Sequence, residues 1–116
     1  MTRRSAIRGA PAGGELAHPL VLEAPARTLD AGGGALVSWT AHATVWAAIR
    51  AVSGRDGVVA DAVSSTVSHE IWIRYRPGVV AAQRFRAGER VFHIVAVIDA
   101  GEARTWLRCL AEERRQ

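Results

Sequence analysis

The sequence predicts an all-β fold, a small barrel or sandwich of about six mainly antiparallel strands. Three observations carry that expectation. In "HEIWIRYRPG", residues 69–78, apolar and charged residues alternate one by one. Runs with the same period of two recur along the chain. Between them stand short stretches bearing Gly, Pro or Ser, which turn a chain back on itself. A pleated strand sorts such alternation onto two faces, whereas a helix would spread it around its circumference.

Taken in order, residues 1–16 hold Gly, Pro, Ala and Arg without period and read as a flexible arm. Residues 17–116 then read as one domain. Its first strand is "HPLVLEAP", 18–25, followed by a turn in "ARTLDAGGGA". "LVSWTAHATVWAAIRAV", 36–52, contains enough alanine for a helix. Val37, Trp39, Ala41, Ala43, Val45, Ala47 and Ile49 nevertheless share one parity, with Trp46 on the other, and no cap precedes the run. A long strand is therefore preferred. "SGRDGVVADAVSS", 53–65, is a long connection with room for one helical turn in "VVADAV".

The next strand spans 66–76, with Ile71, Ile73 and Tyr75 on the buried side and Glu70, Trp72, Arg74 and Arg76 on the other. Pro77-Gly78 stops it, because proline has no N–H for a ladder. "QRFRAG", 83–88, is a short strand. "RVFHIVAVID", 90–99, puts Phe92, Ile94, Ala96 and Ile98 on one parity. "ARTWLRCLAEE", 103–113, sets Thr105, Leu107, Cys109 and Ala111 against Trp106, Arg108, Leu110 and Glu112.

Composition narrows the function. The chain has 116 residues, 49% of them hydrophobic, which suits one packed domain and not a disordered chain. All 15 basic residues are arginine, and the net charge is only +4, so contact with nucleic acid is permitted but not demanded. The lone Cys109 excludes an internal disulfide and suits a reducing compartment. "LAHPLVL" is broken by His18 and Pro19, against a signal peptide, and no apolar run approaches the ~20 residues of a spanning helix.

Chemistry is sparse. His18, His42, His69 and His93 fall on different strands without metal-ligand spacing. Cys109 sits on an apolar parity, as a buried small hydrophobe would. "DAGGGA" lacks the Lys-Ser/Thr of a phosphate loop. These features predict a protein that is not an enzyme and needs no cofactor or metal; an enzyme pairing Cys109 with a histidine is the weakest alternative. The arginines stand out more. Arg74, Arg76, Arg84 and Arg86 alternate with Tyr75 and Phe85, and if their strands pair they make a stripe. That stripe is a solvated face, a subunit interface or a surface near nucleic acid. Trp72 shares its side, and tryptophan beside arginine is common in interface centres.

In this order, "HPLVLEAP", "GGG" before a strand with "SW", "VWAAIRAVSG", "HEIWIRYRPGV", "QRFRAGERVFHIVAVID" and "RTWLRCLAEE" resemble the phage head–tail joining family, also called head closure or stopper proteins. The similarity runs from about His18 to Glu113. Arg55 and Asp56 stand where the family often has a glutamate, and the arm is unusually rich in Gly and Ala.

The resemblance implies a small β-barrel in a ring of identical copies, between the portal-side adaptor and the tail terminator or tail tube of a phage or gene transfer agent. Such a ring continues the DNA channel and retains packaged DNA without reading its sequence. It implies a place in the particle neck, with host cytoplasm before assembly, and no membrane. The family's gate loop maps to 53–66, giving Ser53, Gly54, Arg55, Asp56, Gly57, Asp61, Ser64 and Ser65 as channel candidates. Trp72, Arg74, Arg76, Arg84 and Arg86 become candidate interface residues, with Glu70, Glu89, Asp56 and Asp61 as acceptors for arginine forks. The runner-up is a small nucleic-acid-binding barrel that stacks bases on Tyr75 and Phe85.

Overall fold

Alternation builds the strands where β-branched and aromatic residues dominate it. The computed structural model describes residues 7–52 and 66–115. Among the described residues the strands are β1 (His18–Leu29), β2 (Ala35–Ala51), β3 (His69–Arg74), β4 (Arg84–Ala87), β5 (Arg90–Asp99) and β6 (Trp106–Arg115), with a 3-10 turn at Ala100–Glu102. They close a barrel in the order β1-β2-β3-β6-β5-β4, every pair antiparallel. Closure removes the free edges that an open sheet would carry. The all-β expectation holds, and it resolves to the barrel. Residues 36–52 are strand almost throughout, as alternation required. The "VVADAV" turn lies outside the described residues.

The interior is apolar. Leu20, Ile71, Ile73, Phe85, Phe92 and Cys109 are fully buried in one cluster. Each buried aromatic or branched side chain contributes about 1.5–3 kcal/mol of transfer free energy. Cys109 behaves as the small hydrophobe expected, its thiol pushed up to about 12 by burial.

Two bulges redirect the alternation. Leu22 faces Ala43 while Glu23 faces Ala41, so His42 is an extra residue in β2. Likewise Ile94 faces Ala111 and Ala96 faces Leu110, which leaves Val95 extra in β5. An extra residue turns everything beyond it to the opposite face. Ala43, Val45, Ala47 and Ile49 point inward as their parity predicts. Val37, Trp39 and Ala41, read on the same parity, lie instead on the outer face. In β5 it is Val97, not Ala96 or Ile98, that packs on the core, and Ile98 is exposed.

β1 and β2 are much longer than the barrel needs. β4 meets β1 only at Val21, Leu22 and Glu23, and β3 meets β2 only from Ala47 onward. The remainder, residues 24–41, is a two-stranded hairpin standing off the barrel. It accounts for a radius of gyration of 15.7 Å, against about 13 Å for a compact domain of this length. Its turn, "DAGGG", is a tight one: Asp30 N–H donates to Gly34 O at 2.9 Å, and Gly33 N–H to Asp30 O at 3.2 Å with Gly33 at φ +84°. Asp30 Oδ1 also accepts from the N–H groups of Gly32 and Gly34. This is a type I turn closed by a left-handed glycine bulge, which positive φ reserves for glycine.

Candidate interaction surfaces

The arginine stripe does not form. β3 lies between β2 and β6, and β4 between β5 and β1, so Arg74 and Arg76 are separated from Arg84 and Arg86 by the barrel. Each set has its own local task. Leu22 pairs with Phe85 in the core, which turns their neighbours Glu23, Arg84 and Arg86 outward. Arg84 Nε donates to Glu23 Oε1 at 2.7 Å and Arg86 Nε to Glu23 Oε2 at 2.9 Å. Trp39 lies over the Arg84 guanidinium, 4.0 Å from its ring centroid, and meets His93 edge-on at 5.6 Å. Glu23 and Arg84 are both buried under this lid. Burial alone would raise the Glu23 pKa, but the hydrogen bonds from Arg86 and Arg84 outweigh it and hold the carboxyl below its ordinary value.

The outer face of β2, β3 and β6 is covered as well. Trp72 points outward as expected yet is only 2% exposed, because residues of its own chain sit on it. Ile7, Ala10 and Leu16 pack against Ala48, Trp72, Ala100 and Trp106. Arg50 ties this segment down: Nε and Nη2 donate to Glu15 at 2.8 and 3.0 Å, and Nη1 to Gly9 O at 2.6 Å. Residues 7–16, read as a flexible arm, therefore have definite seats on the barrel. Glu70 is also taken within the chain, by Arg108 at 2.9 Å, Arg50 at 3.6 Å and the Trp72 indole N–H. Arg74 lies exposed over Trp106, 4.3 Å from its ring centroid.

So the expected interface set divides. Trp72, Glu70 and Arg84 are engaged and largely covered inside the chain, Arg86 is bonded to Glu23 yet 39% of its side chain stays exposed, and Arg74, Arg76 and Glu89 keep solvent-accessible surface. Of the candidate gate, Thr66 is described and exposed; Ser53, Gly54, Arg55, Asp56, Gly57, Asp61, Ser64 and Ser65 lie outside the described residues.

The sequence reading missed Glu23, Trp39 and the hairpin. One signal was available: a single carboxylate in the otherwise apolar "HPLVLEAP" asks for a cationic partner. The hairpin now stands out as the freest surface. Leu29, Leu36 and Val37 near its tip are 81%, 61% and 51% exposed, and Trp46 at its root is 58% exposed.

One polar cluster has the residue types of a hydrolase. Ser68 Oγ lies 2.9 Å from His69 Nδ1 and accepts the Glu113 N–H at 2.8 Å, while His69 Nε2 is 3.8 Å from Glu113 Oε1. The serine oxygen is thus held by a backbone N–H from β6, and the arrangement pins the start of β3 to β6. Among the described residues no group of three or more His, Cys, Asp or Glu could hold a metal ion. No described helix is long and apolar enough to cross a membrane.

One family model matches nearly the whole domain, and solved structures share the fold. Residues 12–114 match the phage head completion protein family. A chain from the virion of a native gene transfer agent particle is 31% identical, with a TM-score of 0.63 over 85% of this chain and 96% of that one. The solution structure of a Shigella flexneri 2a protein is 29% identical, with a TM-score of 0.68 over 86% and 94%. No curated protein matches. With the barrel, the order of its motifs and a family match covering nearly the whole domain, this chain belongs to the phage head completion proteins, structural components of the virion.

Proposed function

We propose that this protein closes the head of a phage or gene transfer agent, as a ring between the portal-side adaptor and the tail. One observation carries the reading: 85% of this chain aligns with 96% of a chain in a gene transfer agent virion. In the ring, neighbouring copies bury heterologous side surfaces, and the lumen continues the DNA channel. Residues 53–66 are the proposed gate, and Arg74, Arg76 and Glu89 the proposed polar contacts to neighbours. Tail terminator or tail tube protein docks on the far side, and DNA passes without sequence-specific binding.

The nucleic-acid-binding alternative loses its motivation, because the arginines that suggested it do not form one surface and Phe85 is a core residue. Negative-stain microscopy of the protein mixed with portal–adaptor complexes tests the proposal. A ring capping the adaptor is expected. Normal DNA-filled, tailed particles from a deletion strain would refute it.

A further inference from the structure

We propose that the two edges of the β1–β2 hairpin are complementary binding sites for other copies of this chain. β2 of one hairpin pairs antiparallel with β1 of the next, and the hairpins close into an intermolecular barrel. The inference rests on the ring reading and names the contact that builds it.

Among the described residues the hairpin has open edges on both sides: β2 from 35 to 46 pairs with β1 alone, and β1 from 24 to 29 pairs with β2 alone. The turn fixes which backbone groups are free. Asp30 bonds to Gly34, and the register continues as Thr28 opposite Leu36, Ala26 opposite Ser38 and Ala24 opposite Thr40. In an antiparallel ladder alternate pairs exchange both bonds, so these even-numbered residues satisfy one another. The odd-numbered residues between them aim their backbone groups outward: Ala35, Val37, Trp39 and Ala41 on β2, and Pro25, Arg27 and Leu29 on β1.

Unpaired edges of this length are usually blunted by proline, lysine or a buried charge. The β2 edge has none of these. The β1 edge has Pro25, placed at an outward position where it costs the hairpin no bond. Proline removes a donor and keeps an acceptor, so the two edges are unlike. β1 is a poor partner for another β1, and each copy carries one edge of each kind. That is the requirement for a heterologous contact that closes into a ring with no edge left over.

Direction agrees. In hairpins standing side by side with tips the same way, β1 ascends and β2 descends, so the meeting strands are antiparallel without any rearrangement. Leu29 and Val37 share one face and are exposed in the single chain. Across the new contact they become cross-strand neighbours. A foreign peptide would fill one edge and leave the other open, whereas a closed ring of copies fills both.

The test uses assembled particles containing a mixture of two full-length variants, Leu29→Cys and Val37→Cys. Cys109 is fully buried and does not compete. Mild oxidation is expected to give the mixed 29–37 dimer. If the protein is present at the neck but yields only 29–29 or 37–37 dimers, or none, edge pairing is overturned while head closure stands. Absence of the protein from the neck removes both. Independently, Val37→Pro deletes an outward N–H and spares the hairpin's own bonds. The isolated chain is expected to keep its thermal midpoint yet lose incorporation into particles; unchanged incorporation would also overturn the pairing.

Discussion

The same two strands build the most enclosed and the least enclosed parts of this molecule. Below the His42 bulge, β1 and β2 are walls of a closed barrel, with Leu20, Leu22, Val45 and Ala47 in its core. Above it they form a hairpin whose residues are nearly all exposed and whose edges no other described strand pairs. The composition of the strands changes little across this joint, since Leu, Val, Ala and Trp occur on both sides. What changes is the number of neighbours. In the barrel each strand is paired on both sides and its apolar residues contribute transfer free energy. In the hairpin the same residue types stay in water and are available to another chain.

The largest expected effect sharpens this contrast. Phe85→Ala removes a fully buried side chain from the core and is expected to cost about 3–5 kcal/mol. Leu36→Ala removes an apolar side chain that is already 61% exposed and is expected to change stability by about 0.5 kcal/mol or less. Chemical denaturation of the isolated chain measures both. A loss of several kcal/mol from Leu36→Ala would mean that the hairpin shares the core.

The joint between the two regions gives the next effect. Glu23 bonds both Arg84 and Arg86 through its two carboxylate oxygens, and Glu23 and Arg84 are buried beneath Trp39. Glu23→Gln keeps the shape and leaves a buried guanidinium without its counter-charge, at an expected cost of about 3 kcal/mol. Trp39 should also lose its fixed position over Arg84, so hairpin amides exchange faster even where the barrel survives. Unchanged hairpin exchange would show that the hairpin is oriented by its strands alone.

Much of this architecture was legible, and the illegible part has a specific cause. Six strands, their order of hydrophobicity, the buried Cys109 and the exposed Trp46 follow from period two. The faces of Val37, Trp39, Ala96 and Ile98 do not, because a bulge shifts the register by one residue and neither His42 nor Val95 marks its presence. The arginine stripe failed for a topological reason: the neighbour of β3 is β6, and local alternation carries no information on strand order. Trp72 was placed on the correct outer side of its strand. Its burial depends on Ile7, Ala10 and Leu16, which lie in a segment with no periodic signal.

Acid should weaken the barrel and its joint together. Desolvation lowers the pKa of His93, with Arg114 and Arg84 acting the same way and Glu112 opposing; desolvation also lowers that of His69, where Arg90 adds and Glu113 opposes. A base with a depressed folded pKa binds more protons when unfolded. Stability is therefore full above the unfolded histidine value of about 6.5 and declines as pH falls below it. Glu23 adds a second decline at lower pH, since its folded pKa is also depressed and its contribution is lost as the carboxylate protonates. Thermal midpoints between pH 7.5 and 4 should fall monotonically, with His93→Gln flattening the upper part of the curve. A midpoint that rises on acidification would contradict the neutral, partly desolvated character of both histidines.

Further effects come from a matched pair of glycines, one in the segment packed on the barrel and one at the hairpin tip. Gly9 and Gly33 both have φ near +80°, where an L-residue is strained by about 1–2 kcal/mol. They differ in what surrounds them. A Cβ on Gly9 would come within 3.3 Å of the Trp72 ring, whereas one on Gly33 meets nothing within 4 Å. Gly9→Ala thus adds a tight contact with the Trp72 ring to the strain and should loosen residues 7–16 from the barrel, exposing Trp72 and quenching or shifting its fluorescence. Gly33→Ala imposes the strain alone, at the tip of a hairpin that contributes nothing to the core. It should speed exchange of the Asp30 and neighbouring hairpin amides while the barrel's unfolding midpoint stays within about 1 kcal/mol of the parent. If Gly33→Ala instead unfolded the barrel, the hairpin would be part of the cooperative unit, and its open edges would belong to the folded core and not to a neighbouring copy.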